Sequence, residues 1–184
     1  MGLKLNVAIV LLAMGIWASL LAFEPKPAMA NDPERQRLAA LEDTFARDPH
    51  SLDAARALAH GYLQIEEPSL ALAAIRSADP NLLRDPMLLH QLSRAYEGVG
   101  RMEDAVATAG QAIAGCETAM GYAEALDGSV DFGCNPRVHA MLAMHLDALD
   151  RLARWGVTNP RLEPARTRLA YDLATRPARL ASAR

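Results

Sequence analysis

β-Branched and aromatic residues are scarce in this chain. Residues 31–184 hold 8 valines and isoleucines together and 7 aromatics, against 21 leucines. Strands favour branched and aromatic side chains, so the composition excludes a sheet-rich fold. Lysine is nearly missing: Lys4 and Lys26 are the only two, and every cation after them is an arginine. Cysteine occurs twice, as Cys116 and Cys134, with no Cys-x-x-Cys-His for haem and no paired Cys-x-x-Cys for zinc. There is no phosphate-cradling glycine loop, no nucleophile elbow and no His-Glu-x-x-His. The composition therefore suggests no catalytic residue, cofactor or metal. It also argues against disorder, because half the chain is hydrophobic and the net charge is only −3.

The 36 alanines set the character of what is there. Before them, Leu5 to Phe23 form an uncharged, mostly apolar run preceded by Lys4. Its length lies between a signal-peptide core and a membrane span. Glu24-Pro25-Lys26-Pro27 breaks any continuing helix, and Ala28-Met29-Ala30 is a small-x-small cleavage pattern before Asn31. Residues 1–30 thus read as a cleaved signal or an uncleaved anchor. Both readings export residues 31–184 to the periplasm or beyond, with any membrane contact limited to residues 5–23. In that compartment Cys116 and Cys134 read as a disulfide. Closing such a loop stabilises by about 3 kcal/mol in the chain-entropy model. The sequence places Cys116 at or just past a helix end and Cys134 just before the next helix.

Charge is divided along the body. Residues 31–134 hold 17 acidic and 8 basic side chains, and residues 135–184 hold 4 acidic side chains and 9 arginines. A body that is net acidic and has no recognisable binding motif is not expected to bind nucleic acid. Its arginines suit bidentate recognition of carboxylate or phosphate.

Shifting the chain by 34 residues aligns it with itself. Leu58 falls on Leu92, Tyr62 on Tyr96, Ala71 on Ala105 and Ala78 on Ala112. Leu58 and Tyr62 share a helical face, and Ala71, Ala74 and Ala78 let a second helix approach closely before Pro80. Gly98 and Gly100 are expected to break the helix between Tyr96 and Met102, and Glu103-Asp104 favour the start of its successor. Over Leu52 to about Glu117 this pattern resembles the tetratricopeptide (TPR) repeat. Leu92, Ser93, Tyr96, Gly100, Ala105 and Ala112 match it in the second copy, with Ala109 where a larger residue is usual. Leu58, Ala59, Tyr62, Ala71, Ile75 and Ala78 match it in the first, where Glu66 replaces the turn glycine. The resemblance implies an all-α, right-handed solenoid of antiparallel helix pairs.

The flanks extend the array. Leu38, Leu41 and Phe45 lie at helical spacing in a capping helix within residues 31–50, ahead of two repeat units over residues 51–118. An insertion over residues 119–136 follows, then a degenerate hairpin and tail over residues 137–184. Asn135-Pro136 opens the first hairpin helix, with Val138, Met141, Leu142, His145, Leu149 and Leu152 on one stripe. Thr158-Asn159-Pro160 opens the second, which Pro177 should stop. His139 and His145 fall about 120° apart on a helix and are poor joint ligands. Met141 and Met144 read as core filling.

The resemblance further implies a non-catalytic interaction scaffold that binds peptides on the exposed face of each repeat's first helix. Those positions are Asp53, Arg56, His60 and Gln64, then Met87, His90, Arg94 and Glu97. Arg56, His60, His90 and Arg94 are expected to share one concavity suited to a carboxylate-bearing protein or peptide. An accessory role in envelope protein maturation, as in cytochrome c assembly, uses the same surface. An enzyme built on the insertion and its cysteines is the reading from another class.

Overall fold

A computed structural model of the protein describes residues 33–125 and 133–182. The Leu5–Phe23 run and the centre of the insertion, residues 126–132, lie outside the described residues. The chain divides into two compact units, Met1–Arg37 and Leu38–Arg184, and the contacts below belong to the second. Among the described residues there are seven α-helices, one 3-10 segment and no strand. The helices are α1 (Pro33–Arg47), α2 (Leu52–Gln64), α3 (Pro68–Ser77), α4 (Pro86–Gly98), α5 (Met102–Ala125), α6 (Pro136–Arg154) and α7 (Pro164–Ser182). The 3-10 segment, Pro80–Arg84, joins α3 to α4. None of the described helices is long and apolar enough to cross a membrane.

Each helix packs on the next from α2 to α5, then α5 on α6 and α6 on α7, and α2 also touches α4. Burial follows the 34-residue spacing. Leu58 and Leu92, Ala59 and Ser93, Ala71 and Ala105, and Ala78 and Ala112 are all buried, as are Ile75 and Ala109. Alanine at 105, 109 and 112 removes the side-chain bulk that would hold α5 away from its neighbours. The leucines of α4 and α6 fill the space instead.

Helix ends repeat with the same spacing. Ser51 caps α2 by accepting from the Ala54 amide, and Asp85, 34 residues on, caps α4 by accepting from the Leu88 amide. At the other end, Glu66 has φ +60° and Gly100 φ +77°. In both places the next amide returns to a carbonyl five residues back, Glu67 to Tyr62 and Arg101 to Tyr96. Gly156 (φ +71°) ends α6 in the same way, with the Val157 amide on the Leu152 carbonyl. This is the Schellman closure, which wants glycine at the left-handed position. Glu66 adopts that conformation without being glycine, at a cost of about 1 kcal/mol. The tyrosines match too: the Tyr62 hydroxyl donates to Glu42, and the Tyr96 hydroxyl accepts from Arg76, again 34 positions apart. Burial, with the Glu42 bond second, pushes the Tyr62 hydroxyl up to about 12.

Several boundaries differ from the sequence expectation. One boundary falls as expected: α4 ends at Gly98, and a Cβ there would meet Pro68 Cβ at 2.7 Å, so the position demands glycine for close approach. The helix holding Cys116 does not end there; α5 runs on to Ala125, so the start of the supposed insertion is helical. Cys116 and Cys134 are buried and bonded, with Cα atoms 5.4 Å apart, which ties α5 to the segment before α6. Asn135 caps α6 as expected. The last helix begins at Pro164 rather than at Pro160, and it continues through Pro177 to Ser182.

Candidate functional site

Two cavities adjoin on the α4 surface. One, of about 430 Å³, is lined by His90, Arg94, Glu97, Met141, Met144, His145 and Tyr171, among others. The second, of about 440 Å³, is lined by Leu63, Glu66, Pro68, Arg94, Glu97, Pro160, Arg161 and Thr167, among others. Arg94 and Glu97 belong to both, so the two form one groove. His90, Arg94 and Glu97 lie at i, i+4 and i+7 of α4, which puts them on one face. The far wall comes from α6 and α7 and from the connection between them.

Arg94 is exposed, and no carboxylate lies within ion-pair distance of it among the described residues. Arg161 uses one guanidinium nitrogen to donate to the Glu66 carbonyl at 2.7 Å and likewise has no ion pair among them. Two guanidinium groups thus face one concavity without a close ion pair, with Glu66 and Glu97 among its lining residues.

The first repeat's residues are placed elsewhere. Arg56 was expected in the groove, but its Nε donates to Asp85 at 2.8 Å and a second nitrogen of the same guanidinium binds the other Asp85 oxygen. Asp85 is mostly buried and Arg56 partly so, and the Gln91 amide also donates to the Arg56 carbonyl. The pair fixes α2 to the start of α4 and commits two of the Arg56 guanidinium nitrogens to Asp85. His60, Asp53 and Gln64 are exposed but line neither cavity, and Met87 is half-buried and outside both. The concavity therefore unites His90 and Arg94 and leaves out Arg56 and His60.

Beneath the groove runs a chain of polar groups that residue spacing did not reveal. Ser93, fully buried, donates to the Ala105 carbonyl at 2.8 Å. Its oxygen lies 3.1 Å from His145 Nε2, and His145 Nδ1 lies 3.0 Å from the Tyr171 hydroxyl. That hydroxyl is 3.0 and 2.9 Å from the two Glu97 oxygens. The His90 ring stacks edge-on against His145, with centroids 4.8 Å apart, and its buried Nδ1 has no hydrogen-bond partner. Serine, histidine and a carboxylate in series resemble a nucleophile with its base, but Ser93 has no access to the groove and its proton is given to a backbone oxygen.

Burial dominates the electrostatics. It holds His145 down to about 3, helped by His90 and Arg94, and His90 down to about 4, helped by Arg94. It raises the Glu97 carboxyl above its ordinary value, against the opposing pull of the Tyr171 bond and Arg94. Burial and the neighbouring Glu97 raise the Tyr171 hydroxyl. His139 is separate, meeting Glu117 at 3.2 Å on the outside. Met141 is half-buried and packs against the core as expected, and with the half-buried Met144 it also forms the apolar wall of the groove. Among the described residues no cluster of His, Cys, Asp and Glu could hold a metal ion.

Comparison of the chain with protein-family models, with curated proteins and with solved structures finds no match.

Proposed function

We propose that the protein is a non-catalytic interaction scaffold of the TPR type, an α-solenoid exported or tethered to the cell envelope, that binds a carboxylate-bearing protein or peptide in the groove around Arg94. The observation behind it is the pairing state of the arginines. Arg56 is ion-paired to Asp85, whereas Arg94 and Arg161 face the groove and have no ion pair among the described residues. A guanidinium in a partly apolar groove binds a carboxylate through two parallel hydrogen bonds, stronger than the same contact on an open surface. Met141 and Met144 offer adaptable apolar surface for a neighbouring side chain. The repeated caps, Schellman closures and buried alanines support the solenoid reading, because each helix pair then has the same local frame. The export reading rests on Leu5–Phe23 and on the disulfide.

The test is calorimetric. A short peptide, acetyl-Gly-Leu-Leu with a free carboxylate, is titrated into the protein and into Arg94→Glu. Reversing the charge removes one bidentate contact and adds repulsion, so affinity should fall at least a hundredfold. The melting temperature should stay within about 2 °C, because Arg94 is exposed and has no ion pair among the described residues. Equal affinity of the two proteins would place the binding surface elsewhere.

A further inference from the structure

We propose that Glu97, Tyr171, His145 and Ser93 hold one proton in common, kept on the Glu97 carboxyl, and that this proton keeps the groove cationic and sets the pH range in which it accepts a carboxylate. The second half rests on the binding reading above; the first stands without it.

The argument is a count of hydrogens. The chain has four links: Ser93 to the Ala105 carbonyl, Ser93 to His145, His145 to Tyr171, and Tyr171 to Glu97. Each link needs one hydrogen between its heavy atoms. Serine and tyrosine bring one each, and a neutral imidazole brings one. With Glu97 ionised, three hydrogens must serve four links, and one part-buried contact brings two lone pairs together. Ser93 fixes the direction, since its hydrogen points at Ala105 and its oxygen must accept. His145 then has its hydrogen on Nε2, which leaves Nδ1 bare and in need of a donor. Among the described residues the donor beside it is the Tyr171 hydroxyl. Once that hydroxyl turns to Nδ1, the Tyr171 oxygen can bind Glu97 only if the carboxyl has a proton to donate.

One added proton completes all four links in one sense: Glu97 to Tyr171, Tyr171 to His145, His145 to Ser93 and Ser93 to the carbonyl. The same proton on His145 would complete them too, but as a separated charge pair. A buried neutral arrangement costs less than a buried pair of ions. Burial also disfavours charge on both groups, as their shifted titrations agree.

The groups facing Glu97 come from every side of the groove. They are His90 and Arg94 on its own helix, His145 on α6, Tyr171 on α7, Arg161 before α7, and Glu66 after α2. With Glu97 neutral, two guanidinium groups meet one carboxylate, Glu66. When Glu97 ionises, a second carboxylate stands beside Arg94 and competes with the ligand for it. Affinity for an anion is therefore high below the Glu97 midpoint and falls as pH rises through it.

The test has a ligand-free arm and a binding arm. In the full protein labelled with 13C at glutamate carboxyls and 15N at histidine, the Glu97 carboxyl should titrate above the ordinary value near 4.3. Its signal is assigned by its loss in Glu97→Gln. His145 should stay neutral with hydrogen on Nε2 across pH 5.5–9, while its Nδ1 shift moves with the same midpoint as Glu97, because the Tyr171 hydrogen then turns away. In the binding arm, acetyl-Gly-Leu-Leu carboxylate should bind the wild type about tenfold more weakly well above the measured Glu97 midpoint than well below it. Glu97→Gln should bind it with no such loss. A Glu97 carboxyl titrating at or below 4.3, or a His145 Nδ1 signal blind to that titration, overturns the shared proton. The same pH dependence in Glu97→Gln overturns the control of binding. If the peptide binds at no pH while the two NMR midpoints coincide, the shared proton stands and the carboxylate reading of the groove fails.

Discussion

Between pH 7 and pH 5 the protein is expected to lose about 3 kcal/mol of folding stability. His90 and His145 are held neutral, down to about 4 and about 3, against an ordinary value of 6.5. The unfolded chain takes up two protons that the folded chain refuses. Their contribution to stability is intact above 6.5 and is lost progressively as pH falls below it. Each histidine costs up to about 1.4 kcal/mol per pH unit in that window. Glu97 works in the opposite sense, since its raised carboxyl favours the folded state as pH falls through its midpoint, and it offsets part of the loss. Urea unfolding at the two pH values measures the difference. His145→Gln should show roughly half the wild-type loss. A wild type equally stable at pH 7 and pH 5 would mean that the ring pair is open to solvent.

Asp85→Ala is expected to cost about 3 kcal/mol at pH 7. One Asp85 oxygen accepts from the Leu88 amide at 2.7 Å and from Arg56 Nε at 2.8 Å, while the other binds the end of the same guanidinium. Losing the cap is worth about 1 kcal/mol. Leaving a partly buried guanidinium without its charged acceptor adds about 2 kcal/mol. Asp85→Asn keeps an acceptor for the cap and should recover about half of the loss. The comparison is made by chemical unfolding of both variants. A loss under 1 kcal/mol for Asp85→Ala would show that the Arg56 pair is a surface contact of little weight.

These two sites mark the boundary of what the sequence reveals. The 34-residue register exposed the buried faces because burial is periodic: Leu58 and Leu92, or Ala71 and Ala105, repeat what the backbone repeats. The caps at Ser51 and Asp85 obey the same register and were legible in principle, since each precedes a helix and each can accept from an amide three residues on. Arg56 was misplaced because a position on a helix face says nothing of what the next element brings opposite it. Its partner lies 29 residues away, in the turn before α4. The polar chain was further out of reach. Ser93, His145 and Tyr171 lie on three helices, and His145 looked like one more member of an apolar stripe. Pro177 predicts a stop because proline is strongly disfavoured in a helix interior, yet the helix continues through it.

The central claim, that the groove around Arg94 receives a carboxylate, is tested most directly by mapping where one binds. The protein is labelled at methionine methyls and arginine side-chain nitrogens and titrated at pH 6 with acetyl-Gly-Leu-Leu carboxylate, with the C-terminal amide as control. The Arg94 Nε signal and the Met141 and Met144 methyls should shift with one common affinity, and Arg56 should not move. The amide should produce little change at Arg94. Shifts centred on Arg56 and His60, or equal responses to carboxylate and amide, would contradict the account.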